Sequence, residues 1–372
     1  MSFSRRSAFG APTAFARAVA AARITHDLAG TNPAAAGLRV EGPLDRLASD
    51  AVRRHAPAPF GQPAAREAVA ASIGAPTGRV VLTASTSEAY GLLFELLCDP
   101  GDAVLIPQPS YPLFDVLARL AGVALLPYPL HYAAGRWWLD TEALAEAARD
   151  PRAKAAIAVS PNNPTGTLLG AGEQDALEAL GLPLIVDEVF QPYPLDAPPR
   201  SARRGDGDGL RFLLGGLSKS AGLPQMKLGW VEVEGEPSQA EEALGRLAHL
   251  MDARLSVGAP VQAAAAQLLE RGAELRARIQ ARLAESLAVA RDTLAGSPLS
   301  PLPVDGGWSL MLRVPRDGPG SDERWARAAL REGIRVQPGF LYDAPDGHLV
   351  VSLLTPPERL REGLARLRAL DP

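Results

Sequence analysis

Between about residues 64 and 235, short unbroken apolar runs alternate with amphipathic stretches. The runs are RVVLTA (79–84), AVLIPQP (103–109), ALLPYPL (124–130), AAIAVS (155–160), PLIVDEVF (183–190), FLLGGLS (212–218) and GWVEVEG (229–235). A half-solvated sheet would impose apolar–polar alternation. These runs lack it, so both faces of the strands must be covered. Helical patterns such as SEAYGLLFELLC and FDVLARLAG separate them. Strands interleaved with helices predict an α/β fold around a mostly parallel sheet.

Outside that region the period changes. From 237 to 296, apolar residues recur at three- and four-residue spacing, as in EEALGRLAHLMDARLSV and LRARIQARLAESLAVARDTLAG. Pro260 suits the first turn of a helix. Towards the C-terminus, WSLMLRVP and GHLVVSLL read as strands, DERWARAALREG and PERLREGLARLRAL as helices. This organisation predicts a large α/β domain over residues 40–270. Residues 271–372 form a smaller α+β domain, joined by the N-terminal segment 1–39.

Charge and cysteine content narrow the function. A net charge of −4 gives no electrostatic basis for nucleic-acid binding. Cys98 is the single cysteine, which rules out an internal disulfide, and it reads as a small buried apolar residue. The five histidines show no ligand spacing, so no metal is expected. Ser4-Arg5-Arg6 is a faint twin-arginine signal, but Pro12, Arg17 and Arg23 interrupt the apolar stretch that should follow. An amphipathic helix over about 12–23 is the better reading. No apolar run reaches the length of a membrane span, and the protein reads as cytoplasmic.

In doubly wound sheets, ligands gather at the C-terminal strand ends. Here those ends carry Ser85-Thr86-Ser87-Glu88, Ser110-Tyr111-Pro112, Pro161-Asn162-Asn163-Pro164-Thr165-Gly166, Asp187-Glu188 and Ser218-Lys219. Five polar strand ends imply one extended pocket. The stretch LGGLSKSAGLPQMKLGW (214–230) also holds two of the chain's three lysines, Lys219 and Lys227, in a protein that otherwise uses arginine for positive charge.

PNNPTG, DEV and LSK, in this order and spacing, resemble the class I/II aminotransferases, the fold-type I enzymes of pyridoxal 5'-phosphate (PLP). The resemblance runs from THDLAGTNP to the final helix, and SYPLF, GGLSK, LPQMKLGW and PGF…SLLTPPE are similar to a bacterial subgroup. It implies a large domain with a mostly parallel, seven-stranded-type sheet and a smaller C-terminal domain. It implies that Lys219 is the catalytic residue: the cofactor needs a primary amine for its Schiff base, and lysine alone offers one. The freed amine can then shuttle a proton. Asp187 would face the pyridine nitrogen and keep it protonated. Asn163 would donate to the ring 3′-oxygen, and Tyr111 would stack on the ring. Ser85, Thr86 and Ser87 would cradle the phosphate at a helix N-terminus, with Ser218 as a further ligand. The same serines and threonine would also serve as a plain helix cap.

Four positions depart from the family pattern. Lys227 stands where an arginine usually forks onto the phosphate, giving a point charge in place of a bidentate clamp. Phe190 stands where a tyrosine hydroxyl is common, leaving Asn163 alone at the 3′-oxygen and raising the pKa of the lysine–cofactor Schiff base. His55 matches a tyrosine that often reaches the partner subunit's phosphate, and reads equally as a surface residue. Val350, within LVVSLL, takes the place of the arginine that binds the substrate α-carboxylate. Either another group holds the carboxylate, with Asn32, Arg254, Arg313 and Arg335 as candidates, or the substrate is not an ordinary α-amino acid. Arg313 and Arg335 read equally as solvated strand charges, and Trp308 in GGWS lines the substrate entrance or the core.

The resemblance therefore implies an aminotransferase that moves an amino group from an amino donor to a keto-acid acceptor, working as a homodimer with its pocket at the subunit interface. A PLP-dependent lyase, decarboxylase or oxidase on the same fold is the alternative, which the missing arginine favours.

Overall fold

The computed structural model describes residues 4–53, 55–205, 207–316 and 318–372. The chain opens with α1 (Ala14–Ala21), whose Thr13 cap accepts from the Ala16 N–H, and the two-residue β1 (His26–Asp27). After α2 (Pro63–Ile73) come β2 (Val80–Thr83), α3 (Thr86–Leu97), β3 (Ala103–Gln108), α4 (Phe114–Ala121), β4 (Ala124–Ala133) and β5 (Arg136–Leu139). Next are α5 (Thr141–Ala147), β6 (Ala153–Val159), α6 (Ala171–Glu178), β7 (Leu184–Asp187), β8 (Arg211–Gly216), the single turn α7 (Leu217–Ser220) and β9 (Gly229–Glu234). Three helices follow: α8 (Pro237–Asp252), α9 (Ala259–Ala263) and α10 (Ala265–Leu294). The C-terminal part holds β10 (Ser300–Pro301), β11 (Ser309–Arg313), α11 (Ser321–Arg331), β12 (Ile334–Arg335), β13 (Gln337–Pro338), β14 (His348–Ser352) and α12 (Pro357–Leu367).

The main sheet runs β2-β9-β8-β7-β6-β3-β4-β5. The pairs β8–β7, β7–β6, β6–β3 and β3–β4 are parallel, while β9 and β5 run antiparallel to their neighbours. Alternate residues of the central strands feed two separate cores. Val104, Ile106, Ile157, Ile185, Phe212 and Val231 pack with α3, α4 and α8, while Leu105, Ala156, Ala158, Val186 and Leu213 pack on the other side. This double burial is the reason the strands read as unbroken apolar runs.

Three details differ from the sequence reading. The sheet has an eighth strand, because Ala134 and Gly135 both take left-handed backbone and fold RWWL back on β4 as a hairpin. The run PLIVDEVF stops being strand at Asp187, whose own carboxylate accepts the Val189 N–H and so turns the chain. The run FLLGGLS ends at Gly216, after which Leu217 to Ser220 form a helical turn.

A second sheet, β10-β11-β14-β13, is antiparallel, and β1 pairs in parallel with β12. Phe15 of α1 meets Phe340 edge-on at 6.1 Å. The N-terminal segment is thereby bound to the C-terminal part of the fold. Among the described residues no helix is long and apolar enough to cross a membrane.

Candidate active site

The register of the main sheet brings the polar strand ends into one row. Thr83, at the end of β2, pairs with Gly229 at the start of β9, and Gly229 pairs with Gly216 at the end of β8. Asp187 closes β7 between Leu214 of β8 and Val159 of β6. Ser85–Ser87, Lys227, Ser218–Lys219, Asp187, Asn162–Asn163 and Ser110–Tyr111 therefore all leave the same edge. The backbone approaches closely at Gly229: a Cβ there would lie a tight 3.0 Å from Thr83 Oγ1 and 3.1 Å from the Ser85 backbone carbon. That contact holds the strand leading from Lys227 against the start of α3.

Lys219 sits in the turn α7, which Leu217 anchors from the core. Its Nζ lies 5.1 Å from the ring centroid of Trp308 and 5.9 Å from that of Phe190. Burial lowers the amine's pKa, and the charge of Asp187 partly restores it. Asp187 itself is only 8% exposed. Its Oδ2 accepts the Tyr90 hydroxyl at 3.0 Å and its Oδ1 the Val189 N–H at 3.0 Å. Burial outweighs these bonds and the Lys219 charge, and raises the carboxyl pKa to about 6. Tyr90 has no counterpart in the sequence reading. Its one signal is a hydroxyl on the otherwise apolar Ala89–Phe94 face of α3.

The two asparagines of PNNPTG divide the work. Asn162 Oδ1 accepts from the Thr165 hydroxyl at 3.0 Å and closes the turn. Asn163 Oδ1 accepts the Ser309 hydroxyl at 3.3 Å, which orients the amide and leaves its N–H donors for another partner. Tyr111 is 40% exposed and stands edge-on to Phe114, which in turn stands edge-on to Tyr90. Burial raises the Tyr111 phenol pKa, and Asp187 adds to the shift. The nearby Ser110 hydroxyl is buried without a hydrogen-bond partner.

Residues 34–367 match the class I and II aminotransferase family. The chain belongs to that family. It is a PLP-dependent aminotransferase. It is 30% identical to the arginine–pyruvate transaminase AruH of Pseudomonas aeruginosa, over 78% of this chain and 74% of that protein. It is 29% identical to a histidinol-phosphate aminotransferase of Symbiobacterium thermophilum, over 80% of this chain and 77% of the relative. The fold is that of tyrosine aminotransferase from Leishmania infantum, with a TM-score of 0.85, 22% identity and coverage of 98% and 97% of the two chains.

The donor set of this aminotransferase fits its cofactor. The edge offers a partly buried primary amine, a buried carboxylate, an aromatic ring at Tyr111, the N-terminus of α3, and Lys227 just before β9, the strand paired with β2. These match an aldehyde, a ring nitrogen, an aromatic ring and a phosphate. Within the phosphate group, the Ser85 hydroxyl accepts the Glu88 N–H while Glu88 accepts the Ala84 N–H, a reciprocal cap that leaves the Ser85 O–H as a donor. The first-turn amides of Thr86 and Ser87, with their hydroxyls, lie beside it. Lys227 is exposed, with left-handed backbone.

The remaining candidates are placed as follows. Phe190 and Trp308 meet edge-on at 5.5 Å, and Trp308 is fully buried, so it walls the Lys219 pocket and belongs to the core at once. Asn32 closes a local turn by accepting the Ala34 N–H. Arg254 reaches both carboxylate oxygens of Glu95 at 2.6 Å. Arg313 is exposed on β11. Arg335 pairs with Asp27 at 3.2 Å. His55 lines a cavity of about 210 Å³ with Leu82, Met251, Leu255 and Gln262. Within one chain, no hydrogen bond or ion pair among the described residues joins Asn32, Arg254 or His55 to Lys219.

Proposed function

We propose that this aminotransferase moves an amino group from an amino-acid donor to a 2-oxo acid at a centre built on Lys219. The observation that carries the reading is the setting of the Lys219 amine: partly buried, against Trp308 and Phe190, with Asp187 near enough to affect its titration. When bound, PLP supplies an electron sink that makes the substrate Cα proton removable. Lys219, with its pKa lowered, holds a proton loosely enough to pass it between positions within its reach. Asp187 fixes a positive charge opposite itself, and Tyr90 holds that carboxylate in one orientation. Asn163, set by Ser309, donates from its amide. Tyr111 covers one face of the pocket. Thr86, Ser87, Ser218 and Lys227 bind the phosphate, with the Ser85 backbone beside them.

Arg335 is the best supported anchor for the substrate carboxylate. Ile334 and Val336 point into the core, so Arg335 and Gln337 take the other side of the strand. Gln337 pairs across the sheet with Val350. On this account the guanidinium absent from β14 comes from β12, which pairs with β1 and leads directly into β13 beside Val350, and Asp27 holds it in reserve. In this reading residues 40–270 form the cofactor-binding domain, and 1–39 with 271–372 the smaller one. The β1–β12 pairing supports that grouping. A cytoplasmic homodimer completes it, with His55 serving the partner's phosphate.

The test is a transfer assay. Purified protein with PLP, a labelled amino-acid donor and a 2-oxo acid should give amino product equal to the donor consumed. Release of ammonia in its place would contradict the reading.

A further inference from the structure

Tyr193 has no role in the chemistry described so far, yet it touches three sides of the Lys219 pocket. It follows β7 by six residues and is completely buried. Its hydroxyl donates to the Lys219 carbonyl oxygen at 2.6 Å. Its ring stands edge-on to Trp308 at 5.3 Å. Its own N–H donates to the Phe190 carbonyl at 3.0 Å, and its carbonyl accepts the Gly307 N–H at 2.9 Å. The reactive lysine and both rings that flank its amine are therefore tied to one residue.

The surroundings make this tie stiff. Pro194 and Gly306 form a β-bridge, and Leu195 and Asp196 donate backbone N–H groups to Asp305 and Val304. A Cβ at Gly306 would lie 2.7 Å from the Tyr193 carbonyl oxygen and 2.9 Å from Pro161 Cγ, so the two segments are in the closest contact that backbone allows. On the far side, Gln280 of α10 donates to the Pro194 carbonyl at 2.5 Å. The turn that carries Lys219 is held at its two ends, where Leu217 donates its N–H to the Leu228 carbonyl at 2.9 Å and the Ser220 hydroxyl donates to the Gly216 carbonyl at 2.8 Å. It is four residues long, with no side-chain cap. Its Lys219 carbonyl accepts the Gly222 N–H at 3.1 Å and the Ala221 N–H of the helix end, besides the tyrosine hydroxyl.

We propose that Tyr193 is a positioning residue for the transamination lysine: its hydroxyl fixes the Lys219 backbone, and its ring fixes the Trp308 wall against which the amine lies. This rests on the reading of Lys219 as the reactive amine. The geometry makes the hydroxyl separable from the ring. Tyr193→Phe keeps the buried packing and removes one hydrogen bond whose acceptor retains the Gly222 N–H.

The experiment compares wild type, Tyr193→Phe and Gln280→Met, which loosens the same loop from the opposite side without touching Lys219. Steady-state kinetics are measured on the cofactor-loaded enzyme. The pH midpoint for acetylation of Lys219 is measured by peptide mapping on the cofactor-free chain. Tyr193→Phe should lower kcat about tenfold, as expected for one hydrogen bond's worth of positioning. KM for the amino donor should stay within about twofold, as expected when binding contacts are untouched. The acetylation midpoint should rise, because a looser turn lets water reach an amine whose pKa burial lowers. Gln280→Met should shift both readouts the same way by less. Unchanged kcat and midpoint in Tyr193→Phe, with equal or reduced thermal stability, would overturn the proposal and leave Tyr193 a packing residue. Borohydride reduction of wild-type holoenzyme separates the two failures. If reduction attaches the cofactor elsewhere, the reading of Lys219 is wrong. If it attaches at Lys219 while Tyr193→Phe behaves as wild type, only the positioning role is wrong.

Discussion

The edge of the main sheet and the inner face of the small sheet answer two different chemical demands. At the edge, each group must be a particular residue type: an amine for an aldehyde, a carboxylate for a ring nitrogen, amides and a cation for a phosphate. Those types stand at strand ends, and the register brings them together. The small sheet has a looser demand, one positive charge near one carboxylate. There Val350 is buried among Met311, Leu302 and Tyr342. Charge acts at a distance and an arginine is long, so the proposed anchor Arg335 can act from β12, outside that sheet.

The strongest challenge to the first half of that comparison is Asp187→Asn. Loss of the carboxylate should cut kcat by about a hundredfold or more, a typical range for a group acting directly on the reacting charge. The same change should stabilise the cofactor-free chain. The sign follows from the raised pKa. Below about pH 4 the carboxyl is protonated in both states. Between the ordinary 3.8 and about 6, the folded chain keeps a proton that the unfolded chain has released, so stability falls as pH rises. Above that window the cost is complete, at roughly 3 kcal/mol. Denaturant unfolding at pH 7 should find the cofactor-free variant more stable by up to about that amount, and the pH slope between about 4 and 6 should shrink, leaving the part due to Glu188, which burial raises to about 7.

Arg335→Gln probes the second half. It should raise KM for the 2-oxo acid and the amino donor ten- to a hundredfold, as expected for a lost charge-assisted bond. Cofactor affinity should not change. An unaltered KM would move the carboxylate anchor away from β12.

Lys227→Gln and Lys227→Arg ask how strict the phosphate end is. The glutamine variant should weaken PLP binding by about tenfold, read by equilibrium dialysis, while arginine should restore or exceed wild-type affinity through its paired donors. The smallest effect belongs to Phe190→Tyr. Phe190 meets Trp308 edge-on at 5.5 Å, and the Lys219 amine lies 5.9 Å from the Phe190 ring centroid. The added hydroxyl should lower the pH midpoint of the bound-cofactor absorbance by about half a unit to one unit, the scale of one hydrogen bond.

Much of this architecture is legible in the sequence because burial on both faces writes itself as unbroken apolar runs. Lys219, Asp187 and Asn163 stand out because polar groups directly after such runs need a reason. Tyr90 and Tyr193 do not stand out: a tyrosine in an apolar stretch reads as core, and both are core except for one hydroxyl each. Ser309 is hidden for another reason, since its bond to Asn163 joins residues 146 positions apart. The capping role of Ser85 was visible as an alternative, and the Ser85–Glu88 spacing is its signature. The hairpin strand β5 was missed because Ala134 adopts a backbone conformation that alanine rarely takes.

The central claim is that one of three lysines does the chemistry, and covalent mapping tests it most directly. The holoenzyme is reduced with borohydride, digested, and the peptide carrying the cofactor identified by mass spectrometry, with Lys219→Ala alongside. The account predicts the label on Lys219 alone and no covalent label or turnover in the variant. A label on Lys227 or Lys154, or undiminished turnover by Lys219→Ala, would contradict it.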